Sequence, residues 1–336
     1  MNINADFRED FINLVFKEIN KLKKLGFHFD DFSVWKKNQV DKLLKRIDML
    51  KAKGEDYSYE KDSLDAKKLL RDYRRDMVHW YFNLRQRIPA QTPRRIFRCS
   101  QFSCPKGLET GLSILEKKII AGENLLPHLS RKIVDPVFSD YMFYDFGLVH
   151  FHLGTKSNIK NPLLIEGTKE IVYAFMNEDS CYFIKIDDHG KWDDIALLEC
   201  LKKDFPAVLE PLKITGEPLW KPTKEERKKM LHLQINSYVE IDGENYLAPG
   251  MGVNAAGTSG LAVMEMNRFF HQCVRIQNSA ITMLEKNQEK IEDGLGFKLN
   301  DMDLELMDIN PIIIYDKNNM LFIDFDLSRG SMQFRT

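Results

Sequence analysis

Two histidines two residues apart, His150 and His152, sit in the apolar run Leu148-Val-His-Phe-His-Leu153. That run alternates as a β-strand does, so side chains at i and i+2 share one face and both imidazoles project together. Such a pair can transfer protons near neutral pH, hold a metal ion with a third ligand, or satisfy polar groups in a core. For metal, the third ligand would be Asp145 or a member of the Asp187-Asp188-His189 turn, where His189 follows a strand and can swing to the sheet edge. No compact ligand motif such as H-E-x-x-H accompanies the pair, so no metal or cofactor is expected.

Acid–base chemistry needs the same residue types without the ion. One imidazole takes a proton from a ribose 2′-hydroxyl, another group protonates the leaving oxygen, and a cation steadies the phosphate. Lys156, Lys160, Lys169 and Lys185 all lie in or just after the strand block. Upstream, Arg71, Arg74, Arg75, Arg85, Arg87, Arg94, Arg95 and Arg98 alternate with Tyr73, Trp80, Tyr81, Phe82 and Phe97. Arginine pairs with phosphate and aromatics stack on unpaired bases, so this tract is the expected RNA-binding segment. The competing account is a helix with core aromatics and solvated or ion-paired arginines.

The segment from about 140 to 192 resembles the compact sheet of RelE-type and colicin-type endoribonuclease toxins. The shared features are a short helix, a histidine-bearing strand, a basic residue before the next strand, and a hairpin ending in an aromatic, here Trp192. The resemblance covers about a sixth of the chain and implies catalytic roles for His150, His152 and Lys169. With it the leading expectation is a metal-independent endoribonuclease, a toxin or phage-defence effector that would have a protein inhibitor. Lys156 and His189 join the expected catalytic set. A non-enzymatic nucleic-acid-binding or regulatory protein is the alternative, and a metal-dependent hydrolase the third reading.

The elements that must position these residues read as an α+β chain. Phe11, Leu14, Val15, Ile19 and Leu22 recur at helical spacing before Gly26, and a second stripe from Val34 to Ile47 stops at Gly54. A third stripe, from Tyr57 to Leu84, ends at Pro89. Residues 1–95 are thus expected to be a helical module. Residues 96–230 are expected to form a central antiparallel-sheet module. A connector at 90–107 leads into it, followed by helices near 107–121 and 123–133. Strands follow at Leu148–Leu153, Leu163–Ile165, Ile171–Met176 and Cys181–Ile186, then a helix near 193–203. Residues 231–336 are expected to form a β-α-β module. It contains a hairpin about Asp242-Gly243, a Gly-rich loop at 249–260, a long helix and strand runs at 303–307, 311–315 and 320–325.

The 336 residues carry 49 basic and 50 acidic side chains, a net charge of −1. Residues 1–100 hold 23 basic against 15 acidic residues, so the excess of positive charge is confined to the first part. Five scattered cysteines, including Cys99 and Cys104, suit free thiols in a reducing cytoplasm. Met1–Asp6 lacks the pattern of a secretory signal, and no apolar run reaches membrane-spanning length, so a cytoplasmic protein is expected. Nothing in the sequence speaks to oligomeric state.

Overall fold

The computed structural model describes residues 1–190, 194–216, 218 and 220–335. The fold is α+β, and the chain forms two compact units. One comprises Met1–Lys24, Phe29–Val78 and Glu265–Thr336; the other comprises Leu25–His28 and His79–Met264. This differs from the three expected modules. The reason is the short strand Ile3–Ala5, which pairs in parallel with Met302–Ile309 and so joins the two ends of the chain in one sheet. Among the described residues no helix is long and apolar enough to cross a membrane.

The first unit is built from helices Phe7–Lys24 and Phe32–Lys53, the N-terminal part of Ala66–Arg87, and most of Gly260–Leu295. Phe7, Phe11, Val15 and Ile19 form the buried stripe of the first helix, at the expected helical spacing. The third expected helix is broken: Ser58–Asp62 precedes Ala66–Arg87, and Asp65 accepts from the amides of Lys67 and Lys68 as a fresh start. The C-terminal sheet runs Ile3–Ala5, Met302–Ile309, Ile312–Asp316, Leu321–Asp326, Ser331–Arg335. Apart from the parallel first pair, it is an antiparallel meander. The expected β-α-β module is therefore divided, its hairpin belonging to the other unit.

The second unit centres on a four-stranded sheet in the order Arg95–Arg98, Ser180–Asp188, Glu170–Met176, Leu148–His152. The last three strands are antiparallel neighbours. Arg95–Arg98, expected as connector, instead adds a parallel edge strand, which makes the sheet mixed. Leu163–Ile165 forms no strand; Ile165 makes one isolated bridge to Ser157. Where a helix was expected at 123–133 there are two 3₁₀ turns, Leu126–His128 and Arg131–Val134. Pro127 sits in the first of them and cannot donate a backbone bond, which limits an α-helix there.

One core of this unit packs Leu148, Ile171, Tyr173 and Ile184 against Leu197, Leu198 and Leu201 of helix Ala196–Asp204 and against Val239, Ile241 and Tyr246 of the hairpin Val239–Ile241/Glu244–Tyr246. The Gly-rich loop is tied down by Asn254, whose side chain bonds Thr258, Ser259 and Ala256. Ser259 Oγ accepts from Leu261 N at the start of the long helix.

Candidate functional site: three imidazoles on one sheet face

The histidine strand follows directly from a short helix, Tyr141–Phe146. Asp140 caps that helix by accepting from Phe143 N, and Gly147 ends it at a φ of 67° before the chain turns into the strand. In the sheet His150 stands opposite Tyr173 and His152 opposite Ile171. Alternation puts these four side chains on one face. Two rows across, Lys185 and Asp187 continue the same face.

The expected swing of His189 occurs. Its strand ends at Asp188, Gly190 turns at a φ of 93°, and the His189 ring lies 4.9 Å from His152 and 5.9 Å from His150, centroid to centroid. His150 and His152 are 6.0 Å apart on the same measure. One ring nitrogen from each of the three lies within 4.8 Å of the others.

Their hydrogen bonds fix distinct proton states. Thr168 donates its backbone N–H to His152 Nδ1 at 3.0 Å, so that nitrogen is bare and neutral His152 carries its proton on Nε2. His189 does the reverse. Its Nδ1 lies 2.8 Å from the Lys169 carbonyl, which only accepts, so Nδ1 carries the proton and neutral His189 has a bare Nε2. His128 supports the strand from behind, donating Nδ1–H to the His152 carbonyl at 2.9 Å.

Burial governs the electrostatics. Desolvation, then the neighbouring His189, pushes His150 down to about 4. His152 is likewise pushed to about 4, by burial first and then by His150 and His189. Both are therefore neutral at physiological pH.

Two cavities meet at the cluster. One, of about 360 Å³, is mostly apolar and is lined by Tyr141, Met142, Ile171, Tyr173, His150 and His232, among others. The other, of about 560 Å³, is more polar and is lined by Arg131, His152, Asn158, Thr168 and Lys169. Ser130 and His189 line both.

The other expected residues fare differently. Lys169 lies at the polar cavity, but its ammonium pairs with Asp188 at 3.0 Å and is well exposed. Lys185 pairs with Asp187 at 2.7 Å. Lys156 is exposed and is not among the residues lining either cavity. Asp145, considered as a metal ligand, is buried in an ion pair with Arg227 and stands outside the imidazole cluster. Trp192 lies outside the described residues.

The arginine tract is not one surface. Arg71, Arg74 and Arg75 belong to the first unit, where Arg74 pairs with Glu9 and Arg75 with Asp72 and Asp76; Arg71 is 3.8 Å from Asp72. In the second unit Arg87 and Arg94 are buried, which corrects their expected place on an RNA backbone. Arg87 donates to the carbonyls of Asn83 and Asp135, and Arg94 to those of Asn177, Ala90 and Thr92. Arg95 pairs with Asp179 and Arg98 with Glu116 at the surface, and Arg85 is exposed.

Arg131, Asp140, Tyr173 and His232 were not singled out by sequence reasoning. Of these, Tyr173 carried a usable signal, since it occupies the matching position on the neighbouring strand. Asp140 lines the apolar cavity, and burial raises its carboxyl above the ordinary range.

As a metal site the cluster offers three imidazoles, enough for a three-histidine centre with an open position. The amide at His152 Nδ1 bears on this choice, because coordination through Nε2 would displace the proton that the neutral ring carries there. As an acid–base site the cluster already presents a donor and an acceptor side by side. No known protein family, curated protein or solved structure was found to match the chain.

Proposed function

We propose that the second unit is a metal-independent endoribonuclease. The observation that carries this reading is the cluster of three imidazoles in which the Lys169 carbonyl holds the Nδ1 proton of His189 and leaves its Nε2 to take and give a proton, whereas the Thr168 amide bars His152 from doing the same. His150, neutral and beside both, serves as general base and takes the proton from a ribose 2′-hydroxyl. The 2′-oxygen attacks the adjacent phosphorus and the bond to the 5′-oxygen breaks. His189 as imidazolium gives that oxygen its proton. The Lys169 carbonyl bond survives this protonation, because Nδ1 keeps its proton in both states. His152 cannot take the same part without placing a proton against the Thr168 amide, so its Nε2–H steadies a non-bridging phosphate oxygen. The products are a 2′,3′-cyclic phosphate and a free 5′-hydroxyl. Arg131 supplies positive charge at the polar cavity.

The resemblance to RelE-type and colicin-type toxins supports the same reaction, and with it a role as a toxin or phage-defence effector restrained by an inhibitor protein. A second reading, a metal-dependent hydrolase, is favoured by the three ring nitrogens within 4.8 Å of one another. Purified protein incubated with RNA, with and without chelator, separates the two after its metal content is measured. Chelator-resistant cleavage that disappears in a folded His150→Ala/His189→Ala variant supports the proposal. Cleavage that chelator abolishes and zinc restores supports the hydrolase. Salt-sensitive RNA binding without cleavage sinks both and leaves a binding protein.

A further inference from the structure

The two cavities differ in chemistry, and they share Ser130 and His189. A ligand filling both needs a flat apolar part and an anionic part, joined by a short linker that passes the imidazoles. A nucleotide has that shape. We infer that the apolar cavity is a nucleobase pocket and the polar cavity holds the phosphate, so that the scissile linkage lies over His150, His152 and His189. This rests on the ribonuclease reading only for the choice of RNA; the division into two subsites stands on the cavities.

The walls suit the assignment. Tyr141 and His232 meet edge to face with centroids 4.6 Å apart, and Tyr173 rises from the sheet beside them. Aromatic rings of this kind stack on any base. The cavity of about 360 Å³ lies in the ordinary range of small-molecule sites, about 300–1,000 Å³. Its polar groups are few and placed by the fold. Tyr173 donates its hydroxyl to the Asp188 carbonyl at 2.8 Å, Ser139 donates to the Gly257 carbonyl at 2.7 Å, and Asp140 is held by Phe143 N. Across the cluster, Arg131 brings positive charge to the polar cavity, while Asn158 and Thr168 add neutral polar groups. An aromatic slot beside a cationic one favours a ligand that carries both a flat ring and an anion.

The test is equilibrium binding to the full chain at pH 7 by calorimetry. The probes are the four nucleoside 3′-monophosphates, phenyl phosphate, ribose 5-phosphate and inorganic phosphate. At least one nucleotide is expected to bind tenfold or more tightly than ribose 5-phosphate and phenyl phosphate. Tyr141→Ala and the more exposed His232→Ala should erase that advantage while leaving ribose 5-phosphate affinity within twofold. Arg131→Ala should weaken every phosphate about tenfold. Equal binding of nucleotide and ribose 5-phosphate overturns the base pocket, as does equal binding of phenyl phosphate. Because no turnover is read, nucleotide binding without RNA cleavage retains the pocket and sinks the nuclease; cleavage without a base advantage does the opposite.

Discussion

Thr168 donates its backbone N–H to His152 Nδ1 at 3.0 Å, while the next residue, Lys169, offers its carbonyl to His189 Nδ1 at 2.8 Å. Consecutive residues of one loop thus set two imidazoles in opposite proton states. The loop is itself anchored, since Thr168 Oγ1 donates to the Glu170 carbonyl at 2.6 Å and accepts from Leu153 N at 3.1 Å. Proton placement at the cluster is therefore a property of backbone geometry rather than of any side chain that substitution could readily replace.

This arrangement assigns separate roles, and pH–rate profiles of RNA cleavage check them. His150→Ala and His189→Ala should each lower kcat by about 10²–10⁴-fold, the ordinary worth of a positioned acid or base. His150→Ala should also flatten the acidic limb of the profile. His152→Gln, which retains an N–H donor, should lose less than either. If His152→Gln costs as much as removal of His189 and His189→Ala costs little, the roles are reversed.

Stability should follow pH through the same rings. His150 and His152 titrate near 4 in the folded chain against about 6.5 when unfolded, so the unfolded state binds more protons between these values. Their contribution is present in full above pH 6.5 and is lost as pH falls towards 4. Thermal melts at pH 7 and pH 4.5 should show the loss. In His150→Leu the difference between the two should shrink by about 2 kcal/mol, less than the full linkage value because the rings are coupled. An unchanged pH dependence in that variant would show that the ring is already protonated or solvated when folded.

Lys169→Ala should alter cleavage by less than about threefold. Its ammonium sits at the surface in a pair with Asp188, a solvent-screened contact that contributes little. What this residue gives the cluster is its carbonyl, which alanine keeps. A hundredfold loss measured in the same assay would return the ammonium to the phosphate.

How much of this was legible in the sequence depends on distance along the chain. The strand alternation of residues 148–153 placed His150 and His152 on one face, and the strand-then-turn pattern at 181–190 brought His189 into view. Local rules sufficed because strands Glu170–Met176 and Ser180–Asp188 are hairpin neighbours. Asp145 was misjudged because its partner, Arg227, is 82 residues away and no local pattern announces it. Arg87 and Arg94 of the arginine tract were misplaced for a related reason: charge counts do not reveal which guanidinium groups will bond carbonyls. The strand Arg95–Arg98 depends on its parallel partner far along the chain, and the two-unit division on long-range contacts such as the pairing of Ile3–Ala5 with Met302–Ile309 and the stacking of Phe11 on Phe269.

The Asp145–Arg227 pair underpins the helix that leads into the histidine strand. Burial raises the Asp145 carboxyl above its ordinary range, and Arg227 opposes the rise. Arg227→Met leaves that carboxylate buried without its cation and should cost about 3 kcal/mol. Asp145→Asn combined with Arg227→Met should recover part of the loss, because no unpaired charge then remains. Denaturant melts of the single and double variants check this, and an additive double variant would show that the two side chains are not coupled.

Two glycines next to the site separate steric from conformational constraint. Gly111 lies on the helix Glu109–Ala121, where a Cβ would meet the Leu153 carbonyl oxygen at 1.9 Å, just after the histidine strand. Neither the helix backbone nor the strand end can yield that distance cheaply, so Gly111→Ala should shift Leu153 and cost several kcal/mol, about 3 or more. Gly190 is the opposite case. A Cβ there meets nothing within 4 Å, but its φ of 93° is one that L side chains rarely adopt. Gly190→Ala should cost only about 1–2 kcal/mol in stability, yet relief of the strain would rotate the turn that carries His189. The expected result is a stable protein with cleavage reduced at least tenfold, read from parallel melts and assays. A Gly190→Ala protein with unaltered cleavage would mean that the position of His189 does not limit the reaction.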